Sequence, residues 1–204
     1  MTNIVQEYII IAFAIVFVII VCRVFQANIA LALGDDTPKL NGSTSFNPVN
    51  HIDITGFICL LFFRFGWAKP LDISLNNFKN RFWGRIIYSL SNAFACFIIA
   101  LVSTVLLILN GSLTGILASF LIGVRSISIV FGIIDLIPLP PFDGAIFISA
   151  FLSNDVEYEY FKLSKYTTLI LLGLILTRTF GIILGPVVLE VTRFITKLAL
   201  MLVK

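Results

Sequence analysis

The chain is short of charge. Lysine, arginine, aspartate and glutamate make up 12% of its 204 residues, against about 25% in average soluble domains. Too few charges exist to cover a water-facing surface, which argues against a soluble globular domain. Histidine is scarcer still: His51 is alone. The formal net charge of +3 is too small to suggest a nucleic-acid partner, and no basic cluster with interleaved aromatics appears. The residues before Ile9 include Glu7 but no lysine or arginine. That stretch lacks the positive start of a cleaved signal, and none is expected. Cysteines are few, and all three (Cys22, Cys59 and Cys96) sit in apolar stretches. An odd count in such places argues against a disulfide framework. Cys59 and Cys96 read as small buried hydrophobes.

What is abundant is apolar sequence, 59% of residues with a mean hydropathy of +1.05. The expected protein is an all-α polytopic membrane protein of one domain, 1–204. Spans are expected at about 8–33, 86–109 and 113–134, with further helices at 143–152, 167–184 and 187–203. The first would be about 39 Å long at 1.5 Å per residue, enough to cross a bilayer. Gly34-Asp35-Asp36 and Pro38 should stop it. Ser153 to Lys165 reads as a charged loop. Arg178 could stabilise a helix end. Arg125, within the third span, could face Asp135 or a neighbouring helix. In the last helix Glu190, Arg193, Lys197 and Lys204 fall on one stripe, an amphipathic pattern, and Glu190 with Arg193 reads as a solvated pair.

The segment from about 35 to 85 differs. Asn41-Gly42, Asn47-Pro48 and Lys69-Pro70 are turn signals. Short extended pieces are predicted near 39–46 and 67–74, as a small β-hairpin. Between them 52–65 is apolar but too short for a full span, and fits a re-entrant segment. Lys39, Arg64, Lys69, Lys79, Arg81 and Arg85 lie in this part. The positive-inside rule places 34–85 in the cytoplasm.

The run Asp135-Leu-Ile-Pro-Leu-Pro-Pro-Phe-Asp143-Gly144 interrupts the membrane sequence. Carboxylates and prolines are costly in hydrocarbon. They persist where broken backbone is buried in protein or lines a cavity, so the run marks a site.

These residues carry a resemblance. Leu33-Gly-Asp35 with Pro38-Lys-Leu-Asn-Gly42 comes first. Phe46-Asn47-Pro48-Val-Asn-His51-Ile-Asp53 with Gly56 follows, then Phe65-Gly-Trp-Ala-Lys-Pro70, then 80–85, then 135–144. In this order and spacing they resemble the site-2 protease family of intramembrane zinc metalloproteases, of the small bacterial type. The resemblance implies a helical bundle with a small hairpin or re-entrant segment after the first long helix. It also implies a bacterial cytoplasmic membrane location. Asn47, Pro48, His51 and Asp53 match the family's loop motif, and Asp143 stands at its metal-aspartate position.

The resemblance also implies a His-Glu-x-x-His motif on the first helix. Two histidines one helical turn apart hold zinc and the glutamate serves as base on its water. Here those places hold Cys22-Arg23-Val24-Phe25-Gln26. Arginine cannot be a base at a useful pH. Asp135 replaces the Asn that opens the family's second motif, and only Asn92 remains of a later one. No catalytic residues and no metal or other cofactor are expected, with Asp143 a remnant. Arg23 is expected to pair with Asp135, Asp143 or both as an ion-pair network in place of the metal; alternatively it snorkels to the interface. His51 reads as a loop histidine with a local hydrogen bond. The expected role is that of a noncatalytic homologue, binding membrane-spanning or extended protein segments or regulating an active protease. Its partners would be the bilayer and a single-span membrane protein or an active relative. The alternative is an active protease with an atypical metal site. A solute or ion pathway through the buried charges is weaker.

Overall fold

A computed structural model describes residues 4–63, 68–111, 114–177 and 179–203. The first helix, α1 (Ile4–Leu33), is apolar almost throughout. It stops where Gly34 takes φ 113°. The Gly34 amide donates to the Leu31 carbonyl and the Asp35 amide to the Ala30 carbonyl, each at 3.0 Å. This is the Schellman arrangement, which satisfies the last carbonyls of the helix.

Beyond it lie α2 (Thr37–Leu40), a single 3₁₀ turn at Pro48–Asn50 and α3 (Ile54–Phe63). Ten residues make about 15 Å of helix, half the hydrocarbon thickness. No strand forms among the described residues, so the predicted hairpin is corrected. Residues 39–46 fold as the end of α2 and tight turns, with Ser43 N donating to Pro38 O at 2.8 Å. Residues 68–73 form neither helix nor strand; the Lys69 amide donates to the His51 carbonyl at 2.9 Å. Residue 67 lies outside the described residues.

Two long helices follow, α4 (Arg81–Leu109) and α5 (Ile116–Asp135). The helix α4 begins earlier than its apolar sequence suggests because Asn80 caps it, accepting from Trp83 N at 3.0 Å. By length and composition α1, α4 and α5 can cross a membrane.

The remaining helices are α6 (Asp143–Ser149), α7 (Asn154–Phe161), α8 (Ser164–Leu176) and α9 (Thr179–Val203). The charged stretch read as a loop thus forms α7, with Asp155 and Glu157 in its first turn, where acids complement the helix dipole. The last break falls at Thr177 rather than before Pro186. Pro186 stays inside α9 because Leu184, Val188, Val191 and Ile195, on both sides of it, pack with Ala100, Ile129 and Ile133 of α4 and α5. Residue 178 is outside the described residues, so its expected role at a helix end is not addressed; so is residue 204. Glu190 and Arg193 pair at 2.6 Å with both side chains mostly exposed, an arrangement worth little.

The bundle closes through small residues. Ala14, Val18, Cys22, Ala95, Cys96 and Val124 form one buried cluster between α1, α4 and α5. A Cβ on Gly123 would come within 3.3 Å of the Ala14 Cβ. Small side chains at such contacts let membrane helices approach closely, where dispersion and not water expulsion holds them.

Candidate functional site

The site forms where α5 ends and the prolines break the chain. Asp135 is the last residue of α5 and Asp143 the first of α6. The seven residues between turn tightly: Leu139 N donates to Ile137 O at 2.8 Å and Phe142 N to Leu139 O at 3.0 Å. The Tyr160 hydroxyl donates to Pro138 O at 2.6 Å. Gly144 allows the fold-back. A Cβ there would sit 2.5 Å from both the Leu136 and Ile137 carbonyl oxygens. Any side chain would push α6, and Asp143 with it, off the broken segment.

From α1, Arg23 and Gln26 project toward these carboxylates. Arg23 Nη1 lies 3.4 Å from Asp143 Oδ2 and Nη2 lies 3.8 Å from Asp135 Oδ1. Arg23 Nη1 also donates to Gln26 Oε1 at 2.6 Å. Gln26 Nε2 donates to Asp143 Oδ2 at 2.7 Å, and Asn92 Nδ2 of α4 donates to Asp135 Oδ2. Each carboxylate therefore faces the same guanidinium and one amide. The side chains of Arg23, Asp135 and Asp143 are 13%, 7% and 10% exposed, so little water screens them. A cavity of about 140 Å³ opens beside them, lined by Arg23, Tyr88, Asp135 and Asp143 and, from the segment 68–73, by Leu71 and Ile73.

This donor set does not fit a zinc ion. Zinc needs three or four nitrogen, sulfur or oxygen donors converging on one point. Here a permanent cation stands between the two carboxylates. The Gln26 oxygen is taken by that cation, and its amide nitrogen faces Asp143 as a donor. Cys22 meets Cys96 instead, their Sγ atoms 3.0 Å apart. His51 is engaged in its own loop, where Nε2 meets Ser45 O at 2.7 Å and Nδ1 is buried without a partner among the described residues. The structure thus brings Arg23, Gln26, Asp135 and Asp143 together. It places Cys22 and His51 elsewhere.

The other motif residues have local roles. Asn47 Oδ1 accepts from Val49 N at 3.2 Å, capping the 3₁₀ turn that Pro48 starts. Asp53 Oδ1 accepts from Gly56 N at 2.8 Å, at the start of α3. Both are side-chain caps for orphan amides. Arg125 lies ten residues before Asp135 on the same helix, about 15 Å away, so it does not face that carboxylate. Its Nε is buried without a partner among the described residues.

Two anchors were not legible from the sequence. Asp35 is fully buried. Its Oδ1 accepts from Thr37 Oγ1 at 2.6 Å and Asn77 Nδ2 at 2.9 Å, and its Oδ2 accepts from Ser74 N at 2.8 Å. Burial pushes its carboxyl up, but these bonds, with the Thr37 amide, outweigh burial and hold it below the usual carboxylate range. The Asp-x-Thr spacing of an Asx turn was its one sequence signal. Arg85, 2% exposed, pairs with Glu157 Oε1 at 2.8 Å and donates to the Ser149 carbonyl at 3.1 Å. It ties the start of α4 to α6 and α7, and no spacing pattern links residues so far apart.

The comparisons with known proteins fit this framework. A protein of Bacillus subtilis (strain 168) named "Putative zinc metalloprotease YwhC" is 28% identical over 169 residues. The match covers 79% of this chain and 77% of that protein. No family model matches the chain, and no solved structure matches it. The chain is a helical membrane protein, similar over most of its length to a protein named for zinc metalloprotease activity.

Proposed function

We propose that this chain is a noncatalytic member of the site-2 protease type, which binds membrane-spanning or extended protein segments or regulates an active protease. One observation carries the reading: the Arg23 guanidinium stands between Asp135 and Asp143, against both carboxylates. In a hydrolytic site of this type a metal dication and a carboxylate base would be needed there. A guanidinium supplies neither. It does balance carboxylates that could not stay charged and unpaired at that depth.

The binding role is supported by what lies beside the pair. The cavity is walled on one side by Ala68, Pro70, Leu71 and Ile73, in a segment that forms neither helix nor strand. A segment outside any helix or strand, beside a cavity, can take up another chain by strand addition. The partner is accordingly a single-span membrane protein or an active relative. The protein is placed in a bacterial cytoplasmic membrane with 34–85 facing the cytoplasm. Asn47, Pro48 and Asp53 shape their own loop, and His51 anchors it.

The similarity to a protein named as a zinc metalloprotease favours a second reading, an active protease with an atypical metal site. Elemental analysis of the purified protein separates the two. The noncatalytic reading expects no stoichiometric zinc. One zinc per chain, lost in both Cys22→Ala and Asp143→Ala, would overturn it. A photo-crosslinking residue at Leu71, on the cavity wall, should capture a membrane-spanning peptide; capture equal to that from lipid-facing Phe94 would remove the binding role.

A further inference from the structure

The cysteine pair left out of the proposed site has chemistry of its own. We propose that Cys22 and Cys96 are an oxidative modification site, converted by a peroxide into a disulfide that staples α1 to α4 beside Arg23. The two sulfurs are 3.0 Å apart. A disulfide bond is about 2.05 Å long, so a shift of about 1 Å closes it. Cys22 and Cys96 are 2% and 1% exposed. They sit among Ala14, Val18, Ala95 and Val124, apolar neighbours that offer neither sulfur another polar partner. Each thiol therefore faces the other.

Two buried cysteines in contact can be mere packing. Two features favour chemistry. The residues lie 74 positions apart and on different helices, so no local constraint forces the sulfurs together. The contact belongs to a cluster of small side chains, which lets α1 and α4 approach closely. Neither sulfur lines the cavity beside Arg23, so hydrogen peroxide, close to water in size, reaches the pair through local opening of the α1–α4 packing.

The reaction balances. One cysteine sulfur attacks a peroxide oxygen, the O–O bond breaks, and sulfenic acid and water form. The second sulfur then attacks the first, the S–O bond breaks, and a second water leaves with the remaining proton. Both sulfurs are oxidised, the peroxide is reduced, and two waters result. The disulfide would close the loop from Cys22 in α1 to Cys96 in α4 and restrict that stretch in the unfolded chain. This proposal does not rest on the noncatalytic reading, since Cys22 faces Cys96 whatever Arg23 does.

The test counts thiols. Full-length protein in native membranes is treated with hydrogen peroxide, quenched in acid, unfolded in detergent and tagged with a heavy maleimide. Untreated protein should take three tags and treated protein one, with a peptide linking Cys22 to Cys96 by mass spectrometry. Cys59→Ser keeps the pair, so its tags should fall from two to zero. Cys22→Ser should retain both of its tags after the same treatment. Three tags on treated wild type, or a link that involves Cys59, would overturn the proposal. The wild-type and Cys59→Ser counts decide the matter even if Cys22→Ser fails to fold.

Discussion

Arg23 is a largely buried charge held by two carboxylates. It lies in the apolar body of α1 and meets two carboxylates from the break between α5 and α6. Removing one partner from a buried ionic cluster leaves the others uncompensated, at a cost of about 3–5 kcal/mol. Arg23→Met should therefore lower the stability of the detergent-solubilised protein by that order, measured by unfolding in denaturant. Arg23→Met combined with Asp135→Asn and Asp143→Asn should recover most of the loss, because apolar or neutral replacements of similar volume are often tolerated. A single variant as stable as wild type would show the cluster to be energetically silent. The residue types were legible in sequence. The distances were not, since 112 and 120 residues separate Arg23 from its carboxylates. The roles of Gln26 and Asn92 as amide donors to them needed the fold as well.

Between elements, polar anchors set the geometry that apolar packing leaves free. Lipid-exposed helices can slide, and a buried carboxylate with several donors cannot. Asp35 fastens the end of α1 to residues 74–77, next to the wall of the cavity. Its folded carboxyl titrates below the usual range. The unfolded chain then binds its proton first as pH falls, so the stability Asp35 contributes is full above the ordinary carboxylate value. It is lost as pH drops through the lower folded value. Hydrogen bonds to a charged group contribute about 1.5–3 kcal/mol each at most. Asp35→Ala should lose amide protection at 74–77 at neutral pH, read by hydrogen exchange. That difference from wild type should narrow as the pH falls below the usual carboxylate range. A difference that stays constant with pH would remove the carboxylate from this role. Element boundaries were partly legible. Gly34 and Asn80 end and start helices as their residue types suggest. The helical state of 154–161 was hidden, because charge there signals surface rather than loop. The continuity of α9 through Pro186 was also hidden, because packing on both sides of the proline decides it.

For the whole molecule the open matter is orientation. The basic residues between 34 and 85 point to a cytoplasmic location for that segment. Val49, 77% exposed in the loop, and Gly111, in the turn after α4, should lie on opposite sides of the membrane. In a Cys22→Ser/Cys59→Ser/Cys96→Ser background, Val49→Cys should be labelled by an impermeant maleimide only after the cell is opened. Gly111→Cys should be labelled in intact cells. The reverse pattern would overturn the assigned orientation. Leu40, Phe46, Val49 and Ile54 are all strongly exposed apolar side chains of the 37–54 segment, consistent with a segment that rests against lipid headgroups.

The sequence by itself determined that the chain is a helical membrane protein, where most of its spans lie and where the apolar run is broken. Composition and periodicity carry those facts, since the bilayer accepts only long apolar helices that satisfy their own backbone. It also shows an arginine, Arg23, within the apolar first helix. Only the tertiary structure decided that Arg23 lies between Asp135 and Asp143 and that Cys22 turns to Cys96. The same is true of Asp35 and Arg85, which tie distant segments together. Contacts between residues scores of positions apart depend on helix rotation and on how closely small side chains let helices meet, and no local pattern records either.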